Sequence, residues 1–186
     1  LALFNNTTSS NNTAVGYLAL TTNTGTGGSN TAVGRAALQA NTTASDNTAI
    51  GKGSLETNTT GANNIAVGSS ALNQNTTASN ISAVGFSALL LNTTGANNSA
   101  DNTASGFYAL YSNTTGTTNT AFGKYALGGN TTGTSNVGVG WHALGGLTTA
   151  SYTVSMGYSA GAGITTGASN TMIGYSAGNY VTAVTT

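Results

Sequence analysis

Asn30-Thr31-Ala32-Val33-Gly34 and Asn47-Thr48-Ala49-Ile50-Gly51 are two copies of one short phrase, and the interval between them decides the fold. Its glycine recurs at Gly16, Gly34, Gly51, Gly68, Gly85, Gly106, Gly123, Gly140, Gly157 and Gly174, at a spacing of 17 that slips only to 18 before Gly34 and to 21 before Gly106. A fixed short period marks a solenoid, in which each unit buries its apolar side against its neighbours instead of around a globular core. Residues 1–186 therefore read as a single repeat array of ten motif-glycine units, with irregular corners at 24–29 and 95–101 and variant final units over 141–186. The pattern opens in mid-unit at Ala2-Leu3 and is running again at Val181, so the array is expected to be a stretch cut from a longer fibre.

Each position of the unit, counted from the motif glycine as zero, carries its own expectation. Minus one is apolar in nine of ten units, mostly Val or Ile, and is expected to face inward from a strand. Plus one holds Tyr17, Arg35, Lys52, Ser69, Phe86, Phe107, Lys124, Trp141, Tyr158 and Tyr175, a set expected outside. Strict alternation would put both on one face, so each glycine is expected to be a structural corner, where Ala in its place should damage the fold. Plus three is Ala in all units but that of Ser54, and plus four is Leu from Leu20 through Leu144. Either the backbone turns again there, or one residue fills the interior while the other lies in a seam between chains, and the seam is the favoured reading. Plus seven to plus nine read Asn-Thr-Thr in most units, and Thr at plus eight never varies from Thr24 to Thr182. In the last three units plus seven becomes Leu147, Ile164 and Val181 while plus four becomes Gly161 and Gly178, so the two positions border one space and the Asn belongs to a partly buried amide ladder. The fold class expected is all-β, a parallel β-solenoid built as a two-strand β-roll of about 17 residues per coil. It is expected to be trimeric and fibrous, because three rolls side by side would cover the Ala-Leu edge.

Only Arg35, Lys52, Lys124, Asp46, Glu56 and Asp101 are charged, and the net charge is zero. Nucleic acid and anionic lipid are improbable partners for such a chain, since both are recognised through clustered Lys and Arg. The absence of cysteine excludes disulfides and thiolate metal sites, and the absence of proline suits a chain lying almost wholly in or beside stacked strands. No run of eighteen apolar residues is present, so no membrane insertion is expected within this segment. One histidine and three carboxylates, scattered over different units, offer no catalytic constellation, and His142 at plus two reads as a surface residue. No enzyme activity, metal or cofactor is expected.

Three surface chemistries remain. Asn-x-Ser/Thr sequons stand in register at Asn6, Asn41, Asn58, Asn75, Asn92, Asn113 and Asn130, with others at Asn5, Asn11, Asn80 and Asn97, and a column of glycans is weighed against tight-turn and ladder roles. Tyr17, Phe86, Phe107, Tyr108, Tyr125, Trp141, Tyr158 and Tyr175 form an aromatic stripe suited to sugar binding or to packing between chains. The Thr files at plus eight and plus nine suggest ice, but adjacent residues of a strand point to opposite faces.

The run Asn-Thr-Ala-Val-Gly-x-x-Ala-Leu, seen from Asn12 to Leu20 and Asn30 to Leu38, with Phe122 for Val from Asn119 to Leu127 and in part from Asn47 through Gly51 to Leu55, resembles the head repeats of trimeric autotransporter adhesins and the repeat arrays of phage tail fibres. The resemblance implies a left-handed trimeric β-roll displayed on a surface fibre that binds host glycan or matrix molecules. The expected function is a non-enzymatic structural segment of an extracellular, cell-surface or virion fibre, self-associating as a homotrimer or filament. An adhesive head is the alternative, and an ice-binding solenoid a third reading.

Overall fold

The computed structural model describes residues 1–93 and 100–179. Ten strands of three residues, β1 (Thr13–Val15) through β10 (Thr171–Ile173), stack in sequence order as one parallel sheet, and no helix is present among the described residues. Like positions pair with like: Thr31, Ala32 and Val33 lie opposite Thr48, Ala49 and Ile50, and the same register holds from end to end. The longest interval also keeps register, since β5 (Ser82–Val84) pairs with β6 (Thr103–Ser105) and Asn113 Nδ2 donates to Asn92 Oδ1 at 2.9 Å. Most of the irregular corner at 95–101, including Asn97, lies outside the described residues, as do Val181 and Thr182. The other irregular corner absorbs its extra residue at Gly27-Gly28, where Gly28 N donates to Ser45 Oγ at 3.1 Å.

The coil has one strand, not the two expected of a β-roll. Its remaining sides are turns, yet they are bonded from rung to rung as the strand is. Gly51 N donates to Val33 O (2.8 Å) on the strand side, Leu38 N to Ser54 O (3.0 Å) and Ala40 N to Glu56 O (2.9 Å) beyond the glycine, and Thr59 N to Thr76 O (2.8 Å) on the far side. Backbone groups buried between rungs are thus paired around the whole perimeter, which is what lets a thin coil exclude water.

Two sequence expectations are corrected by side-chain direction. Minus one faces outward: Val15, Ile50, Val84, Phe122, Met156 and Ile173 are all exposed, while Ala at minus two is the inward residue and is buried from Ala32 to Ala121. The reason is room. At Gly138, which stands at minus two, a Cβ would sit 3.2 Å from Leu127 Cγ, so the interior facing the strand admits a methyl group and little more. The Ala-Leu pair is not a seam between chains either. Ala37 and Leu38, Ala71 and Leu72, and Ala109 and Leu110 are completely buried within the one chain. The backbone turns twice to achieve this, with left-handed φ at plus two (Ala36 57°, Ser70 57°, Tyr108 55°) and at plus four (Leu38 52°, Leu72 51°, Leu110 51°). Each such residue costs about 1–2 kcal/mol in an L-amino acid, and burying the whole Leu side chain offsets it by about 1.5–3 kcal/mol.

In the last rungs the Leu volume is replaced. Leu147 and Ile164 join the same core cluster as Leu144, as the exchange between plus four and plus seven implied. The strand contributes as well: with Gly161 and Gly178 at plus four, Met172 takes the minus-two position, and a Cβ on Gly161 would meet Met172 Cε at 2.8 Å. These orientations separate two variants cleanly in chemical denaturation. Leu72→Ala is expected to lose about 2–5 kcal/mol, whereas Val67→Ala, on the outer face, should stay within about 1 kcal/mol. Equal losses would restore the inward reading of minus one.

Candidate functional surface

The ten motif glycines have φ between 125° and 142°, and Gly123 shows why no side chain fits. A Cβ there would stand 2.5 Å from the carbonyl oxygen of Gly140, one rung on. Along this file a side chain would run into the backbone of the next rung. The expected corner is present, for each motif glycine ends its strand in a bend with positive φ, but its ground differs, since minus one and plus one both point outward.

Two amide ladders run through the interior. At plus seven, Asn75 Nδ2 donates to Asn58 Oδ1 (2.8 Å), Asn92 Nδ2 to Asn75 Oδ1 (3.2 Å), and Asn130 Nδ2 to Asn113 Oδ1 (2.9 Å). The second ladder, at minus four, has no counterpart in the sequence reading. There the amide oxygen accepts from the backbone of the next rung, as in Asn47 N to Asn30 Oδ1 and Asn64 N to Asn47 Oδ1, each at 3.0 Å. Both ladders converge on one carbonyl per rung. Asn47 and Asn58 donate to Gly61 O at 3.0 and 2.9 Å, Asn64 and Asn75 to Ala78 O at 3.0 and 2.9 Å, and Asn119 and Asn130 to Gly133 O at 2.8 and 3.1 Å. This three-point clamp closes each coil across its interior. The signal in the sequence was the near-constancy of Asn at minus four, broken only by Ile81 and Thr153. Where Leu147 ends the plus-seven ladder, Asn130 Oδ1 is left without a partner.

The clamp decides the glycan question at six of the seven registered sequons. Asn41, Asn58, Asn75, Asn92, Asn113 and Asn130 have no exposed surface, so a sugar on any of these nitrogens requires the rung to open. Asn6 is half-buried, and Asn11 and Asn80 are exposed. The invariant Thr at plus eight is also committed: its hydroxyl donates to the plus-eight carbonyl of the next rung, from Thr42 to Thr59 O at 3.1 Å and from Thr59 to Thr76 O at 3.0 Å. The plus-nine Thr is exposed over most of the array.

The exposed large apolar residues lie mostly on the outer face of the sheet. The files at minus three, minus one and plus one all project from it, for the rung-to-rung bonding continues past the glycine with Ala36 N donating to Tyr17 O at 2.8 Å. Among the described residues every exposed large apolar side chain except Leu1, Phe4 and Tyr152 belongs to these three files. Aromatic residues of adjacent rungs stack along the plus-one file, Phe86 on Phe107 with centroids 5.3 Å apart, then Trp141 on Tyr158 at 4.6 Å and Tyr158 on Tyr175 at 5.3 Å. Lys124 interrupts the file with its ammonium 5.4 Å from the Phe107 centroid. Tyr108 and Tyr125, at plus two, close against Phe107 edge-on at 4.3 and 5.8 Å. Tyr17 stands apart from these stacks at the far end of the file, and His142 leans on Trp141 at 5.3 Å.

Stacking has a chemical consequence. A sugar ring packs on an exposed aromatic face, and within these stacks the faces are turned to one another, leaving ring edges outward. Among the described residues no group of three or more His, Cys, Asp or Glu side chains is placed to share a metal ion, and no helix is long and apolar enough to cross a membrane. Comparison with family profiles, with curated proteins and with solved structures returned no match.

Proposed function

We propose that this chain is a structural segment of an extracellular, cell-surface or virion fibre, a stiff non-enzymatic rod that associates with copies of itself. The observation that carries the reading is where the repeated residues go. Gly at zero, Ala and Leu at plus three and four, Asn at minus four and plus seven, and Thr at plus eight all bind rung to rung or fill the interior. A repeat that spends its constant residues on its own continuation specifies length and stiffness. Ten rungs at about 4.8 Å make a rod of roughly 50 Å.

An adhesive head is the second reading, favoured by the exposed aromatic file. Its sugar-binding form is restricted to the ends of the stacks, where a ring face is free, as on Phe86, which stacks on Phe107 and has Ser69 as its other neighbour in the file. Electron micrographs and a protease time course test the two together. The fibre reading expects rods of the stated length that resist digestion and retain no glycan or matrix protein. A compact particle removes it, and glycan binding lost on Phe86→Ala transfers the function to the adhesive reading.

A further inference from the structure

We infer that the outer face of the sheet is a dimer interface, in which two copies of this chain lie parallel and face to face, each rung against the same rung of its partner. This rests on the self-association part of the fibre reading and replaces the three-chain arrangement, whose ground was an exposed Ala-Leu edge that the fold buries. A three-fold assembly needs two different surface patches on every chain, whereas a two-fold one uses a single patch twice. Among the described residues the exposed large apolar side chains, Leu1, Phe4 and Tyr152 apart, are gathered on one face.

The size of the face is sufficient. Ten strands spaced at about 4.8 Å, across the four residue steps from minus three to plus one, present roughly 630 Å² per chain, below the side of a standard interface but enough for two copies to clear the roughly 1,000 Å² in total that a specific interface needs. Its apolar side chains are interspersed with Arg35, Lys52, Lys124 and the threonines of the minus-three file, the mixed composition of an interface that is not obligate.

Complementarity fixes the orientation. With the two-fold axis along the rod, the central minus-one file meets itself, and the plus-one file of each copy lies over the minus-three file of the other. Bulk then falls opposite small residues: Tyr17 over Thr13, Phe86 over Ser82, Phe107 over Thr103, Tyr158 over Val154 and Tyr175 over Thr171 of like rungs. Ser69, the only small residue of the plus-one file, is matched by Ile65, the bulkiest of the minus-three file. Arg35, Lys52 and Lys124 meet Thr31, Thr48 and Thr120, so no cation faces another. Ser105, the one polar residue at minus one, falls on the axis, where its hydroxyl meets its own copy. Because every rung pairs with itself, the arrangement extends to any number of rungs.

The chain lacks cysteine, so Val15→Cys and Ile173→Cys each introduce one nitroxide label at either end of the minus-one file. Light scattering of the full chain should give twice the chain mass, and pulsed electron spin resonance should give the same short separation at both sites, on the order of 10–20 Å for sheets about 10 Å apart. A doubly substituted Val67→Lys, Val84→Lys chain, altered only on the outer face, should keep its circular dichroism spectrum and fall to the mass of one chain. Three chains, one chain at millimolar concentration, or labels separated by roughly 40 Å as in an antiparallel pair would each overturn the inference. So would ice-growth inhibition by an unassociated chain, which would assign the face to ordered water. Micrographs of the same sample keep the two readings apart, since single rods of full length remove only the dimer while compact particles remove the fibre as well.

Discussion

Gly123→Ala is expected to destabilise the array by about 3–6 kcal/mol, and Gly174→Ala by no more than about 1–3 kcal/mol. The backbone is the same at both sites, with φ of 132° and 125°, so any side chain carries a similar conformational cost. Their surroundings differ. A Cβ at Gly123 falls 2.5 Å from the carbonyl oxygen and 2.7 Å from the carbonyl carbon of Gly140, whereas one at Gly174, in the last described rung, meets no atom of the described residues within 4 Å. The added loss at Gly123 is that of prising two rungs apart along the glycine file. Since each coil is bonded only to its neighbours, the defect should appear as an earlier unfolding step of one part of the array and not as a uniform shift of the whole. Hydrogen exchange resolves this, with protection falling first in the rungs flanking residue 123. Equal losses at the two sites would mean that φ alone, and not contact between rungs, accounts for the glycine column.

The contrast shows what repetition in a sequence discloses. Period, register and the amide ladder at plus seven were legible because stacked units place equivalent residues on top of one another, so a column of identical letters reads directly as a file of contacts. Which way each column faces was less legible. Val at minus one outranks Ala at minus two on any hydrophobic scale, and in a globular protein it would be the core residue. In a coil whose interior is already filled by Leu at plus four, space outweighs hydrophobicity, and the smaller side chain goes inside. The double turn at plus two and plus four was hidden for a related reason. Leu is a poor residue for left-handed backbone, so nothing in Ala-Leu announces it. The only hints are Gly53 at plus two and Gly161 and Gly178 at plus four, which have φ of 64°, 65° and 66° and relieve in single rungs what their counterparts tolerate.

The outer face was legible as composition but not as geometry. Phe122, Met156 and the aromatic file were visible as bulky residues at fixed phase, yet reading minus one as inward divided one surface into two. Joined, these columns make the fibre and dimer readings parts of one arrangement. Axial bonds hold successive rungs, and the three outward files remain for a lateral neighbour.

The amide ladder yields a second test in which one substitution has two outcomes. Asn75→Leu is expected to lose about 2–4 kcal/mol, because Asn58 Oδ1 is left without its donor, a buried polar orphan costing about 1–3 kcal/mol, and Asn92 Nδ2 loses its bond to Asn75 Oδ1, worth about 1 kcal/mol. Ala78 O keeps the bond from Asn64 and adds little to the loss. Asn130→Leu should cost about 1 kcal/mol or less, because it only moves an existing fault. Asn130 Oδ1 is already unpaired beneath Leu147, so the substitution satisfies that orphan by deletion and creates one at Asn113 Oδ1, while Gly133 O retains Asn119. Leu at 130 would also pack against Leu147, itself buried in the same file. Urea titrations of the two variants compare them directly. If Asn130→Leu is as damaging as Asn75→Leu, then the clamp onto the plus-ten carbonyl, and not the bond from rung to rung, is what the plus-seven asparagine contributes.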